Sequence, residues 1–569
     1  MTAEGKLDAM TGRDATAEFR AAATATVDDL LRARPEWATT LGDHRFDRQL
    51  NDLSASGLSA NANLLRRRRE ELSSFEPAPL DPEDGVDLAI LKGELDRVVF
   101  ETDALATFTW DPLEYNVGEA LYPLLTRDVL PLPDRLRAIA ARLDLIPERV
   151  ALARRQLEAP PLVHVETALR QHPGTVAMVG EEVENLLAGE PGLRPVVEPA
   201  QARALAALDS YEGALHQLLE GPHRSARIGP DLFARRLALA LHSRLSPSGL
   251  LEKAQRRVAE LDQELAAVAE AYLAGCGDRP SADGEQQPRV GPAALGHETV
   301  RTALRRVAME APDDGTIVAT AEAALVRCTE AVRDLGLVSV PEDPLRIEVM
   351  PVFRRGVAVA YCDQAGPLEE GGETSFAIAP TPEHWSAEQK ASFYREYNHA
   401  MVVDLTVHEA MPGHMLQLAH ARRFRGSTLV RTVLQSGSFI EGWGTHAERI
   451  MAEAGLGGPP VRLQQLKMQL RVAINAILDV SVHAGDLTED QALELMTGRG
   501  YQEESEARAK WRRACLTSSQ LSTYFVGYSE LGEVLSSAGA SPDDAGLDYD
   551  RVLAHGCPPP TLLAGLLRK

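Results

Sequence analysis

The sequence predicts a mostly α-helical protein with one small β-sheet, and three observations support this class. Apolar residues recur at helical spacing through long stretches rich in Ala, Leu, Arg and Glu. Short stretches of strand-forming residues are confined to residues 345–380. Hydrophobic residues make up 44% and charged residues 25% of the 569 positions, which is typical of a globular protein.

The helical patterns are interrupted by stretches rich in Pro, Gly and charged residues. The clearest patterns lie at 133–157, 199–219, 250–273 and 462–485. The interruptions lie at 76–85, 277–292 and 455–460. We expect a helical scaffold region over 1–340, with a linker or surface loop near 277–292. A catalytic, metal-binding region is expected over 341–569, the two forming one integrated, two-lobed unit.

Three β-rich segments, LRIEVMPVF, GVAVAYCD and TSFAIAP, lie between residues 345 and 380 and are separated by turn residues. Their length and spacing predict a small antiparallel sheet. An exposed edge of such a sheet can hold an extended peptide by main-chain hydrogen bonds.

The formal net charge of -24 comes from 83 acidic and 59 basic side chains. Such a balance repels phosphate backbones and anionic lipid, so neither nucleic acid nor a membrane surface is an expected partner. The N-terminus has no apolar core of signal-peptide length, and no uninterrupted run of about 18 apolar residues occurs. These features predict a cytoplasmic protein.

The five cysteines lack CxxC spacing, which favours reduced, mostly buried thiols over a disulfide framework. They are Cys276, Cys328, Cys362, Cys515 and Cys557.

The segment from residue 408 to residue 448 carries the candidate chemistry. His408 is followed by Glu409, then by His414, and later by Glu441. Two imidazoles and a carboxylate are the ligands of many catalytic zinc sites, which keep a fourth position open. Glu409, beside the first histidine, is the candidate general base.

The histidine spacing differs from HExxH, in which the histidines are four apart and share one helix face. His408 and His414 are six apart, so an ideal helix would direct them to different faces. Pro412 lacks the N–H that would bond to the carbonyl of His408, and Gly413 adds backbone freedom. We therefore expect a bulged or broken helix that returns His414 toward His408.

Glu441 lies 27 residues beyond His414, which is far enough for a helix to end and return antiparallel. Glu448 is two helical turns further on and shares its face. One of these carboxylates can bind the metal while the other orients a histidine. His446 lies off that face and is a weaker candidate.

HEAMPGHMLQ and EGWGTHAE resemble the signature segments of the bacterial family catalogued as domain of unknown function 885. RPEWATTLGDHRFDRQLNDLS and WDPLEYN resemble earlier motifs of that family, so the resemblance spans nearly the whole chain. The family is similar to HExxH zinc carboxypeptidases. The resemblance implies a large helical, zincin-like peptidase fold with a central cleft.

Carried over residue by residue, the resemblance implies that His408, His414 and Glu441 bind the metal and that Glu409 is the general base. LRVAINAILDVSVH and RRACLTSSQLSTYFVG also match family segments. They place further candidate catalytic or substrate-binding residues at Asp479, His483, Arg513, Gln520 and Tyr524. His483 or Tyr524 would stabilise a tetrahedral oxyanion, and Arg513 would bind a substrate carboxylate.

The sequence departs from the family pattern at positions around these candidates. Asn475 replaces Arg, Ser481 replaces Gly, Ser518-Ser519 replace Pro-Gly, and His446 replaces Tyr. The metal ligands are retained, so the departures are expected to alter the substrate pocket and favour a specialised substrate.

These observations predict a zinc-dependent peptidase or amidase acting on a short peptide or peptide-like small molecule, although Mn²⁺, Fe²⁺ or Co²⁺ can use the same ligands. An alternative is an enzyme that forms or exchanges an amide bond at the same metal. A second alternative is a non-catalytic binding protein on a degenerate peptidase scaffold. The sequence does not indicate an oligomeric state.

Overall fold

The computed structural model of the protein describes residues 3–276, 292–342, 346–350, 360–363, 365–369, 371, 374–378, 380–537 and 549–567. The described chain is mostly α-helical with one small sheet, as the sequence predicts. Most of the predicted linker, residues 277–291, lies outside the described residues. Within them, no helix is both long and apolar enough to cross a membrane.

The chain divides into two compact units. The first contains residues 1–228, 365–373 and 425–434, and the second contains 229–364, 374–424 and 435–569. The division of these units falls near residue 229, and the functional division near residue 340 stays a prediction. The helices between residues 230 and 335 belong to the same unit as the candidate metal ligands, because helices within 247–335 pack against helices within 399–483.

The first unit is helical and is built around two long helices that pack along each other. Its helices are α1 (Ala3–Ala33), α2 (Pro35–Leu41), α3 (Ala55–Ser73), α4 (Pro82–Phe100), α5 (Gly118–Thr126), α6 (Leu132–Gln156), α7 (Leu162–Ala177), α8 (Val183–Leu187), α9 (Arg194–Leu219) and α17 (Val430–Val433). Fully buried leucines of α6 and α9 form the centre of its core. The fully buried Arg431 of α17 pairs with Asp87 and Glu83 of α4, which holds this late segment in the unit.

The second unit contains the remaining helices and the sheet. Its helices are α10 (Pro230–Leu241), α11 (Pro247–Gly275), α12 (Pro292–Val307), α13 (Ile317–Leu335), α14 (Ala387–Glu396), α15 (His399–Glu409), α16 (His414–Arg423), α18 (Gly437–Glu453), α19 (Gly458–His483), α20 (Glu489–Glu494), α21 (Glu504–Leu516), α22 (Ser522–Ser537), α23 (Tyr549–Leu553) and α24 (Pro560–Leu567). The predicted helices at 133–157, 199–219, 250–273 and 462–485 are confirmed as α6, α9, α11 and α19.

Helix α19 lies at the centre of the second unit. Nearly all its side chains from Val461 to His483 are buried, as expected of a helix covered on every side. Helix α11 packs along it, and α15, α18, α21 and α22 also contact it. The helices that carry most of the candidate site residues are therefore packed around one buried helix.

The sheet contains β1 (Arg346–Val349), β2 (Ala360–Asp363) and β3 (Ser375–Ile378), in the order β1-β3-β2. Strands β2 and β3 are antiparallel, but β1 and β3 are parallel, so the prediction of a purely antiparallel sheet was wrong. Because β3 lies between the other two strands, β1 pairs with a strand that is not its neighbour in sequence. An alternating pattern identifies strands but not their partners.

None of the five cysteines, all within the described residues, forms a disulfide. Cys328 and Cys557 are buried, whereas Cys276, Cys362 and Cys515 are only partly buried. The thiols are thus less completely buried than the sequence suggested.

A buried carboxyl group in α22 makes stability depend on pH. Glu530 is 7% exposed and accepts a hydrogen bond of 2.6 Å from the Ser243 hydroxyl. Burial raises the pKa of Glu530 to about 7, although the bond from Ser243 acts in the opposite direction. The folded protein therefore holds this proton to a higher pH than the unfolded chain does.

Replacing Glu530 with Gln should remove this dependence while keeping an oxygen acceptor for Ser243. Because the pKa is raised on folding, the stabilising contribution of the wild-type carboxyl is complete below pH 4.5 and is lost as pH rises through 7. The free energy of unfolding of Glu530→Gln minus that of wild type should therefore increase by roughly 1–3 kcal/mol as the pH rises from ~4.5 to ~8. Urea unfolding at several pH values measures the gain. Glu322→Gln, at an exposed position of α13, is the control; an equal trend in both variants would contradict the assignment.

Candidate metal centre

The predicted helix break occurs between α15 and α16. Helix α15 ends at Glu409 and α16 begins at His414, so the two histidines lie at the facing ends of consecutive helices. The Met411–Pro412 peptide bond is cis. At Gly413 an added Cβ would overlap the carbonyl oxygens of Val407 and His408, so only glycine fits this turn.

A tryptophan from α18 holds the turn in place. The fully buried Trp443 donates a hydrogen bond of 2.8 Å from Nε1 to the carbonyl oxygen of Pro412. Glu441, two residues earlier on the same helix, is thereby brought beside the turn. The packing of one indole thus links the positions of both histidines to that of the carboxylate.

Three candidate ligands converge at this point. His408 Nε2 lies 3.5 Å and His414 Nε2 lies 3.6 Å from Glu441 Oε2, and the ligand atoms of all three residues lie within 4.8 Å of one another. Two ligands of a tetrahedral zinc ion, each about 2.0–2.1 Å from it, are roughly 3.4 Å apart. The spacing of the three side chains therefore fits one such ion.

Glu448 contacts the opposite nitrogen of His408. Its Oε1 lies 2.5 Å from His408 Nδ1, and the carboxylate is 3% exposed. A proton on Nδ1 leaves the Nε2 lone pair directed at the other candidate ligands. This is the position expected of a carboxylate that orients a metal-binding imidazole.

Buried carboxyl groups are concentrated around the site. Burial alone would raise the pKa of Glu441, but hydrogen bonds from His408 and His414 hold it well below its usual range. Burial and the charge of Glu448 raise the pKa of Asp404, one turn before His408, well above its usual value. A divalent cation would offset this concentration of carboxyl groups.

Glu409 is separate from the three converging ligands. Its Oε2 accepts a hydrogen bond of 3.0 Å from the backbone N–H of Cys362 in β2. The sheet therefore orients the predicted general base. Motif spacing could not indicate this hydrogen bond, because Cys362 and Glu409 are 47 positions apart.

Gly444 was not predicted as a site residue, yet both imidazoles pack against it. An added Cβ would lie 2.8 Å from His408 Cε1 and 3.0 Å from His414 Cε1. The adjacent crossing of α18 and α22 is equally close, since a Cβ on Gly442 would lie 2.5 Å from the carbonyl carbon of Gly527. The two glycines of the EGWG segment thus allow the imidazoles and helix α22 to lie close to the backbone of α18.

Tyr524, Arg513 and Gln520 form a connected group. Arg513 Nε donates to Gln520 Oε1 at 3.0 Å, and Arg513 Nη2 lies 3.4 Å from the Tyr524 hydroxyl. Burial, followed by the charge of Glu441, raises the pKa of Tyr524, so the hydroxyl keeps its proton at neutral pH. Tyr524 lies on α22, which packs against α18, the helix that carries Glu441.

Asp479 fixes the turn that precedes Tyr524. The buried carboxylate accepts bonds from the backbone N–H groups of Ser519 and Ser522, at 3.1 and 3.0 Å, and from the Ser522 hydroxyl at 2.6 Å. Ser519 has φ +64°, a conformation that favours the glycine usual in the family at this position. Asp479 therefore supports the backbone of this turn, and any contact of Asp479 with substrate stays a prediction.

His483 is buried against the end of α21. It is 2% exposed, and its Nε2 lies 2.9 and 2.7 Å from the carbonyl oxygens of Ala514 and Thr517. Its ring also stacks on Phe233. These contacts give His483 a structural role, and its catalytic role stays a prediction.

His446 is buried in an aromatic group. It is 3% exposed, between Trp443 and Tyr549, and burial lowers its pKa to about 3. A neutral ring in this aromatic group packs the core. A role of His446 in supporting the site or binding substrate stays a prediction.

The sequence profile of the family described as "Bacterial protein of unknown function (DUF885)" matches residues 35–567. The chain belongs to this family. No curated protein matches it significantly.

Two solved structures are similar over nearly their whole length. One, described provisionally as a lipoprotein of unknown function from Shewanella oneidensis, is 26% identical with a TM-score of 0.79, covering 97% of this chain and 100% of its own. The other, described provisionally as a lipoprotein from Colwellia psychrerythraea, is 16% identical with a TM-score of 0.78, covering 97% and 98%. Neither description names an activity, so the relation to zinc carboxypeptidases stays a prediction.

Enlarging Gly444 should weaken metal binding. Gly444→Val would push both imidazoles from their present positions, and we expect zinc affinity to fall roughly 10- to 100-fold, the range for residues that orient metal ligands. Competition with a chromophoric chelator measures the affinity. Gly532→Val, in α22 where an added Cβ meets nothing within 4 Å, is the matched control. Wild-type affinity in Gly444→Val would contradict the described packing.

Proposed function

We propose that this protein is a metal-dependent amidase or peptidase that hydrolyses an amide bond in a short peptide or peptide-like small molecule. The observation that carries the proposal is the convergence of His408, His414 and Glu441 beside a separate carboxylate, Glu409. Two imidazoles and one carboxylate match the open, three-ligand sites of catalytic zinc. Zinc is therefore the proposed ion, although other divalent transition metals accept the same ligands.

Glu409 would perform the proton transfers. When bound, the ion would supply Lewis-acid chemistry, polarising the scissile carbonyl and making water a stronger nucleophile. Glu409 would take a proton from that water and pass it to the leaving amine. Because Glu409 Oε2 already accepts a hydrogen bond from the Cys362 N–H, the proposed proton transfers use Glu409 Oε1.

Strand β2 would align the substrate. It is an edge strand of the described sheet, and Cys362 directs its N–H toward Glu409, not toward the paired Phe376 of β3. Edge strands bind extended peptides through main-chain hydrogen bonds. A peptide lying along β2 would therefore pass beside the proposed general base.

Tyr524 would stabilise the negative charge that develops on the carbonyl oxygen. Its hydroxyl keeps its proton, because burial and Glu441 raise its pKa, and it lies beside the Arg513 guanidinium. A fixed donor and a nearby cation stabilise a tetrahedral oxyanion more than a planar carbonyl. Arg513 is exposed at this position and can also contact an anionic substrate group.

Replacing Glu409 with Gln should remove activity without removing the metal. Because general acid–base catalysis contributes about 10²–10⁴-fold, we expect kcat to fall by that order while metal content stays stoichiometric. A peptide-library digest followed by mass spectrometry identifies a substrate, and elemental analysis measures the metal. Glu388→Gln, at an exposed position of α14, is the control.

The same digest tests the competing functions. If Glu409→Gln kept full activity with metal bound, the proposed mechanism would be wrong. A product that incorporates an added amine would favour amide transfer over hydrolysis. Stoichiometric metal with no turnover of any peptide would favour a binding protein.

Replacing Tyr524 with Phe should lower kcat by roughly 10²-fold with little change in KM, since the hydroxyl would act mainly in the transition state. Steady-state kinetics on the substrate identified by the digest measures both constants. Tyr528→Phe removes a hydroxyl one turn further along α22, where it accepts a bond from Gln469. Equal losses in the two variants would assign Tyr524 to packing alone.

A further inference from the structure

A buried ion cluster joins α14, α19 and α21. Glu396 accepts hydrogen bonds from Lys467 at 2.9 and 3.0 Å and from Arg471 at 2.6 Å. Arg471 also lies 3.2 Å from Glu506 of α21. Glu396, Lys467 and Arg471 are all at least nine-tenths buried, so their charges are held in fixed positions.

Lys510 is a further cation of this cluster and has no direct partner. It lies one turn beyond Glu506 on α21 and is only partly exposed. Its ammonium makes no hydrogen bond or ion pair with any described residue, although Glu506, Arg471 and Arg513 interact with it electrostatically. Burial lowers the pKa of Lys510 to about 8, which leaves it mostly protonated at neutral pH.

The charges of the cluster do not balance. Lys467, Arg471 and Lys510 are three cations, whereas Glu396 and Glu506 are two carboxylates. A partly buried cation without a direct counterion attracts an anion more strongly than a fully hydrated cation does, because the surrounding protein screens the charge less than water. The arrangement therefore suits an anionic ligand.

This unpaired cation is close to the proposed reaction site. Arg513, one turn beyond Lys510 on α21, contacts the Tyr524 hydroxyl at 3.4 Å, and Tyr524 interacts electrostatically with Glu441. Lys510 and Arg513 are three positions apart, so they lie on one face of α21, and Arg513 connects that face to Tyr524.

We propose that Lys510 binds a carboxylate of the substrate and so selects peptides that carry an anionic group. The proposal rests on the proposed amidase function, because it assigns Lys510 to the substrate of that same site. The carboxylate can be the C-terminus of a peptide or an acidic side chain.

Binding experiments test this without turnover. Zinc-loaded, full-length protein carrying Glu409→Gln is titrated calorimetrically with N-acetyl-dialanine, with its C-terminal amide, and with the α-amide of N-acetyl-alanylglutamate. We expect at least one of the two acids to bind about tenfold more tightly than dialanine amide. Preference for the first acid identifies the C-terminus as the recognised group, and preference for the second identifies a side chain.

Substitutions then assign the preference to Lys510. Lys510→Met should reduce it to about twofold or less, and Lys510→Arg should retain most of it. Arg508→Met removes a positive charge from an exposed position of the same helix and should leave the preference unchanged. A wild-type preference that survives Lys510→Met, or equal binding of acids and amide, would overturn the proposal. Loss of hydrolysis alone would overturn only the enzymatic function, since binding is measured independently.

Discussion

The backbone of Gly413 passes so close to the carbonyl oxygens of Val407 and His408 that no side chain fits there, and this contact sets the positions of both imidazoles. A continuous helix would direct residues six positions apart to different faces. The turn ends α15 at Glu409 and begins α16 at His414, which brings the two rings together at a centroid distance of 4.6 Å. The bond from Trp443 to Pro412 then places the helix that carries Glu441 beside this turn.

Much of the candidate centre could be predicted from sequence because its determinants are local. Pro412 and Gly413 indicate a break in the helix, and the break explains why an unusual histidine spacing is compatible with a shared site. Glu448 could be placed beside Glu441 because two helical turns return a residue to the same face. The long helices were also predictable, since their apolar spacing extends over many turns.

The remaining features depend on contacts between residues far apart in sequence. The hydrogen bond from Cys362 to Glu409 and the approach of Gly444 to the imidazoles leave no periodic signal. The contacts of His483 could not be predicted either, because a motif match identifies a position but not the group that the imidazole nitrogen contacts, which is the carbonyl end of α21. For the same reason the parallel pairing of β1 with β3 could not be distinguished from an antiparallel one.

The departures from the family pattern differ in their physical consequences. His446 packs in an aromatic group, and Ser519 stands where a positive φ favours glycine, so both affect the scaffold. Asn475 is different, because its side chain is buried and its Oδ1 has no hydrogen-bond partner among the described residues. On the neighbouring helix α21, Lys510 makes no ion pair with a described residue, whereas Glu396, Lys467, Arg471 and Glu506 pair with one another. The chain thus retains the residues that would bind a metal, while the electrostatics of the adjoining surface are set by positions that the metal does not constrain. Under the two proposals, the residue that would select the substrate is therefore distinct from the residues that would hold the metal.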